Sequence, residues 1–281
     1  MSPHHQCTHA RASALFLVAS VFVAAPAFAQ SPAPAPAAPA ATQAPLRLDV
    51  PYVPTPESVV DRMLKMGEVG KDDFVIDLGS GDGRIAIAAV KERGARGAMG
   101  VDINPERIKE AKANAEAAGV TDKVTFVQQN LFETDLSKAT VITMYLLETV
   151  NAKLRPTLLE LKPGTRLVSH AFSMGDWAPD QRTTEEGRTV YMWVVPAHVG
   201  GRWAFTDGEN RFTVDLNQTF QNIGGGATVN GRTVQLRDAR LTGDEIVLTL
   251  PLGDGAKTYR GKVSDGTIKP VEGDGWSATR S

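Results

Sequence analysis

A short apolar run, Phe74-Val75-Ile76, ends in Asp77 and passes at once into Leu78-Gly79-Ser80-Gly81-Asp82-Gly83, after which helical periodicity begins near Arg84. A buried strand that must turn this tightly into a helix is the opening of a strand-turn-helix unit. In such sheets ligands gather beyond the carboxyl ends of the parallel strands. Glycines at 79, 81 and 83 remove the side chains that would hold a ligand off the turn. Gly79, Ser80, Gly81 and Gly83 are therefore expected to offer bare backbone to a bound molecule.

The surrounding pattern repeats that unit. Ala98 to Ile103, Val124 to Gln129, Val141 to Leu146 and Arg166 to Phe172 are further short apolar runs separated by helical stretches. Runs apolar on both faces and spaced by helices predict a parallel sheet covered on two sides, an α/β Rossmann-like architecture. Asn104 is placed to cap a helix with Pro105 in its first turn, and Gly119 to stop it. Gln181 to Glu186 and Thr189 to Val195 flank Gly187 as an antiparallel hairpin on the sheet edge. After Gly200 helical periodicity is lost. Alternating segments at Arg211 to Phe220, Arg232 to Leu241, Glu245 to Leu250 and Lys257 to Val263, parted by Asp-Gly, Asn-Gly and Gly-Asp turns, predict a small C-terminal all-β domain, an antiparallel barrel or sandwich over residues 201–281. The short connection at Ala197 to Gly201 makes residues 46–197 an independently folding unit on this reading.

Spacing narrows the ligand. A dinucleotide fingerprint requires a small residue at position 84, where this chain has Arg84. Asp77 before the loop suits a ligand bearing a cationic amino group better than one presenting pyrophosphate. S-adenosylmethionine carries such a group and a sulfonium, and no phosphate. Asp102, at the end of the second strand, is placed to accept from ribose hydroxyls. Asn130, followed by Leu131 after the third strand, can accept from the adenine amino group, or can merely cap a turn. Tyr145 and Glu148 follow the fourth strand, beside the expected position of the transferred methyl group. Tyr145 is a candidate for positioning an incoming amine and Glu148 for attracting its charged form or helping remove a proton. The alternatives are a packed ring and an acid that favours a helix start.

These features together resemble a known family. Pro51-Tyr52-Val53-Pro54-Thr55-Pro56, the loop Asp77 to Arg84, Gly100-Val101-Asp102-Ile103 and Leu161-Lys162-Pro163-Gly164 look like the class I S-adenosylmethionine-dependent methyltransferases related to the FAM173 lysine methyltransferases. The likeness covers about half of the chain. It implies a seven-strand methyltransferase sheet and methyl transfer to an amine, lysine of membrane proteins in mitochondrial relatives. By motif it implies that Asp77, Gly79, Gly81 and Asp102 bind the cofactor, with Tyr52 and Thr55 over its methionine end. Glu148 departs from the proline expected at that position, which leaves the acceptor, protein or small molecule, open.

Composition adds boundaries. A formal charge of -2 offers no basic stripe for nucleic acid or anionic lipid. Residues 1–29 read as a secretory signal: basic and histidine-rich start, an apolar run from Ala12 to Ala25, then Ala27-Phe28-Ala29. That run is shorter than a spanning helix, so cleavage after Ala29 is expected, leaving no stable membrane span, with an uncleaved anchor as the alternative. Residues 30–45 form an Ala/Pro-rich spacer, and the sole cysteine, Cys7, would leave with the signal. The expected location is the periplasm or cell envelope, where the competing reading is a noncatalytic protein holding a nucleoside-like ligand. His170, Trp177 and His198 lack metal-ligand spacing. The first two read as core or pocket lining and His198 as linker surface. Trp193 reads as strand core, and Trp203 and Trp276 as closing the terminal domain.

Overall fold

The computed structural model describes residues 52–252, 255–273 and 275–281. The expected signal, the spacer and Cys7 lie outside the described residues.

The first half is a sheet between two layers of helices. Helix α1 (Glu57–Met66) precedes strand β1 (Phe74–Leu78), α2 (Arg84–Lys91), β2 (Gly97–Asp102), α3 (Pro105–Ala118) and β3 (Val124–Gln128). A single 3-10 turn (Leu131–Glu133), β4 (Val141–Met144), α4 (Glu148–Leu159), β5 (Arg166–His170), β6 (Gln181–Glu185) and β7 (Arg188–Val194) follow. The seven strands lie in the order β3-β2-β1-β4-β5-β7-β6. The strands β1 to β5 pair in parallel, while β7 runs antiparallel to both β5 and β6. The order reverses at β1, which places the β1 and β4 carboxyl ends at a crevice.

Strand alternation feeds two cores. Val75, Val141 and Val168 enter a cluster with Val59, Met63, Ile85 and Ala89 under α1, α2 and α3. Their neighbours Ile76, Ile142 and Leu167 enter another with Leu154, Leu158, Trp177 and Trp193 under α4. β3 departs from the expected two-sided burial: it is an edge strand, and Val127 is exposed. The α3 signals act as read, for the Asn104 side chain accepts from Glu106 N and Gly119 takes a left-handed φ of 69°.

The second half is one curled sheet rather than two stacked ones. Strands β8 (Gly201–Asp207), β9 (Asn210–Thr219), β10 (Asn222–Val229), β11 (Arg232–Gln235), β12 (Asp238–Thr242), β13 (Glu245–Leu252), β14 (Gly255–Ser264), β15 (Thr267–Pro270) and β16 (Trp276–Arg280) form a nine-stranded antiparallel sheet. Its order is β11-β10-β9-β8-β16-β15-β14-β13-β12, so its two edges are strands consecutive in sequence. The expected single segment Arg232 to Leu241 is thereby corrected. Leu236 N donates to Gly225 O at one edge and Arg237 N to Thr249 O at the other, so the chain breaks there and steps across the opening of a half-barrel. Trp203, Phe205, Tyr259 and Leu248 fill the inside, and Trp276 stacks on Phe205 with centroids 5.7 Å apart.

Candidate active site

The glycine bend is fixed by its own amides. Gly79 N and Ser80 N both donate to Val101 O at 2.9 Å, and Gly83 N donates to Ser80 O at 2.8 Å. Gly81 N donates to Asp102 Oδ2 at 2.9 Å, while Asp102 Oδ1 accepts from Asn104 N at 2.8 Å. The carboxylate at the end of β2 thus ties the loop to the start of α3. Each of its oxygens keeps acceptor capacity for a ligand hydroxyl. Gly81 has φ 51°, and a Cβ there would lie 2.4 Å from the Tyr52 ring.

Beside the bend is a cavity of about 220 Å³. Its lining includes Tyr52, Thr55, Asp77, Gly79, Ser80, Gly81, Asp102, Asn130 and Leu131, which brings together ten expected site residues with Tyr145. Gly83 and Glu148 are not among the lining residues. Gly83 instead caps α2 in a left-handed conformation, where a Cβ would lie 2.4 Å from the Phe126 ring. Glu148 is exposed in the first turn of α4, where an acid is favourable, and accepts from Ser173 Oγ of the loop after β5.

Asp77 is buried and accepts from Thr143 Oγ1 at 2.7 Å. Burial pushes its carboxyl up to about 7; the Thr143 bond opposes this and the nearby Asp102 and Asp82 charges add to it. Among the described residues it has no cationic side chain in an ion pair. A buried acid in that position is complementary to an ammonium supplied by a ligand. Asp82 differs: burial would raise it, but Arg84 bonds to both of its oxygens and holds it below its ordinary value. Arg84 also donates to Thr55 O at 2.9 Å, which fixes the strap before α1 across the loop.

The remaining wall residues divide by chemistry. Asn130 Oδ1 accepts from Phe132 N at 3.1 Å, so it caps the turn, and it also lines the cavity with acceptor capacity left. Tyr145, Leu146, Leu147, Phe132 and Phe172 supply the apolar and aromatic part of the lining, Leu146 lying against Gly79. The Tyr145 ring rests 3.8 Å from His170, centroid to centroid. His170 lies behind the wall, buried, with Nδ1 3.2 Å from Thr55 Oγ1 and no partner on Nε2. Burial and the Arg188 charge lower it to about 4, so it is neutral at physiological pH. Sequence reading missed Arg107 and Phe172. Arg107 lies over the Tyr52 ring at 4.6 Å, and its signal was its place in the first turn of α3 beside Asn104. Phe172 follows β5 as Tyr145 follows β4, and that symmetry was legible.

The strand order, the glycine bend and an acid at the end of both β1 and β2 define a class I S-adenosylmethionine-dependent methyltransferase. Comparison with known proteins agrees. The model described as ANTKMT methyltransferase domain matches residues 77–181. A protein-lysine N-methyltransferase of Saccharolobus islandicus is 53% identical over 154 residues, 53% of this chain and 96% of the relative. The mouse adenine nucleotide translocase lysine N-methyltransferase is 36% identical over 160 residues, 56% of this chain and 67% of the relative. A crystal structure titled as an RNA methyltransferase from Salinibacter ruber, in complex with S-adenosyl-L-homocysteine, is 55% identical with a TM-score of 0.51, covering 52% of this chain and 96% of its own. The chain belongs to this family of lysine-type methyltransferases.

Proposed function

We propose that the cavity methylates the side-chain amine of lysine in a protein. The observation that carries this reading is the mixed lining of the cavity, which joins the carboxylates Asp77, Asp82 and Asp102 to the apolar and aromatic residues Tyr145, Leu146, Leu147, Phe132 and Phe172. When bound, the cofactor supplies a methyl carbon activated by a sulfonium. Asp77 meets the ligand's ammonium, Asp102 its ribose hydroxyls, Asn130 and Leu131 its adenine, and the bare backbone at Gly79 and Gly81 admits it closely. An acceptor lysine reaching past Tyr145 and Phe172 leaves water for an apolar wall, which favours its neutral, nucleophilic form. A hydroxyl acceptor would need a base held against it. Tyr145, held by the His170 ring, orients the amine along the line of transfer.

The names of the relatives support lysine in two cases and RNA in one. The lining cations favour protein. Arg84 is engaged with Asp82 and Thr55, and Arg107 covers Tyr52, so among the described lining residues both arginines are engaged within the protein. The test is incubation of the purified protein with methyl-labelled S-adenosylmethionine and a protein extract, then acid hydrolysis. Label in methyl-lysine is the expected result, whereas label confined to added RNA would refute the proposal. Export by residues 1–29 belongs to the same reading and places the acceptor in the envelope. Fractionation and N-terminal sequencing check it, and an intact N-terminus in the cytosol would remove it.

A further inference from the structure

The loop after β5 carries Phe172 into the acceptor side of the cavity, and it is gripped from two directions. From α4, the Asn151 amide donates to Phe172 O at 3.2 Å and Ser173 O at 3.1 Å, and Arg155 donates to Met174 O at 2.7 Å. From the half-barrel comes the β9–β10 turn, Phe220-Gln221. The Phe220 ring stacks on Trp177 with centroids 5.7 Å apart and planes 17° apart, and Arg155 lies over its other neighbourhood at 5.5 Å. Gln221 completes the grip with both ends of its amide: Oε1 accepts from Trp177 Nε1 at 2.8 Å and Nε2 donates to Ala178 O at 2.8 Å. Phe220 thereby joins the apolar cluster under α4.

The turn itself shows that this contact is not incidental. Among the described residues, three two-residue turns of the half-barrel have positive φ at the first position and not at the second. In β8–β9 and β12–β13 that position is Gly208 (φ 59°) and Gly243 (φ 58°), as such turns prefer. In β9–β10 it is Phe220, with φ 55°. A bulky residue in this conformation costs about 1 kcal/mol or more and persists where surrounding contacts over-determine it. The hairpin alone would be better served by glycine, and the ring is accounted for by Trp177.

We infer that Phe220 and Gln221 are positioning residues for methyl transfer: the half-barrel uses its β9–β10 turn to hold the Phe172 loop, and with it the acceptor side of the cavity, in register with the cofactor side. This rests on the methyltransferase reading and goes beyond it, because it gives the C-terminal sheet a part in the reaction without any residue of its own in the cavity. The turn touches the loop, and the loop touches the acceptor.

The variant Phe220→Gly separates this role from a stabilising one, since it removes the ring while relieving the backbone. With poly-L-lysine as acceptor probe, its kcat/KM is expected to fall about tenfold or more through misplacement at the reacting centre. S-adenosylhomocysteine affinity by calorimetric titration stays within about twofold, because the turn is outside the cofactor side. Hydrogen exchange over residues 171–180 rises about tenfold while β1 and β4 are unchanged. Gln221→Ala reproduces these effects, and Phe220→Tyr, which keeps the ring, retains wild-type kinetics and exchange. Unchanged exchange in the loop of Phe220→Gly overturns the inference. So does faster exchange with wild-type kinetics. If wild-type protein transfers methyl to no acceptor at all, the lysine reading fails. The inference then falls as a statement about catalysis, and the exchange result shows separately whether the turn holds the loop.

Discussion

Asp77 is a buried carboxyl in the cavity lining, and the proposed function makes it the partner of the cofactor's ammonium. Its folded value, about 7, is above its ordinary value of 3.8. The stability tied to its neutral form is therefore fully present below 3.8 and is lost as pH rises through about 7 in the ligand-free protein. A cationic ligand has the opposite preference, because it binds the ionised form. Cofactor affinity is accordingly expected to weaken toward tenfold per pH unit below about pH 7, and to fall again above about pH 8 as the ligand's own α-ammonium loses its proton. Calorimetric titration from acid to mildly alkaline pH measures this, and affinity independent of pH would show that the ligand's ammonium does not meet Asp77. The variant Asp77→Asn keeps the Thr143 contact but removes the charge. It is expected to lose about 10- to 100-fold in cofactor affinity, the scale of a charge-assisted hydrogen bond. In mildly alkaline solution without ligand it should melt no lower than wild type, since a buried charge has been removed.

The elements of the α/β half were readable where each announced itself locally. Asn104, Pro105 and Gly119 set both ends of α3, and the loop from Asp77 to Gly83 set the end of β1 and the start of α2, because cap and turn chemistry acts over a few residues. The half-barrel was readable only as a class. β10 carries Gly224-Gly225-Gly226, which erases the alternation that marks a strand, and β11 and β12 form one polar-apolar run whose break at Leu236 is imposed by partners on opposite sheet edges. Gly225 explains the erasure. Its φ is 143°, and a Cβ there would lie 1.9 Å from Asp215 O, so the curl of the sheet brings β9 and β10 backbones closer than any side chain permits. Gly225→Ala is expected to destabilise the half-barrel by about 3 kcal/mol through this overlap and the disfavoured φ. Chemical denaturation measures that loss, and a change under about 0.5 kcal/mol would show that the strand can rearrange.

Across the whole molecule, the junction is more than the short connection suggested by Ala197 to Gly201. Ala197 N donates to Gly243 O at 2.8 Å, a Cβ on Gly243 would meet Gly164 Cα at 3.0 Å, and the Phe220-Gln221 turn covers Trp177. None of this was legible in the sequence, because Trp177 and Gln221 are 44 residues apart and neither carries a local signal of the other. Apart from Phe220, the described residues of the two halves keep separate cores, and the Saccharolobus relative is 96% covered by 53% of this chain, the share of the α/β half. A fragment of residues 46–197 is therefore expected to fold and to bind S-adenosylhomocysteine nearly as the full chain does. It should be less stable by about 2 kcal/mol, the scale of uncovering one large side chain, which lowers Tm by roughly 4–8 °C for a domain of this size. Because Phe172 then loses its outer support, the fragment should show the same acceptor-side deficit as Phe220→Gly, and adding Phe220→Gly to the full chain should account for most of it. Cofactor titration, thermal melts and methyl transfer on the fragment decide between the two descriptions. Aggregation where the full chain stays soluble would make the half-barrel part of the folding unit, and full acceptor activity in the fragment would leave the junction a contact without consequence for transfer.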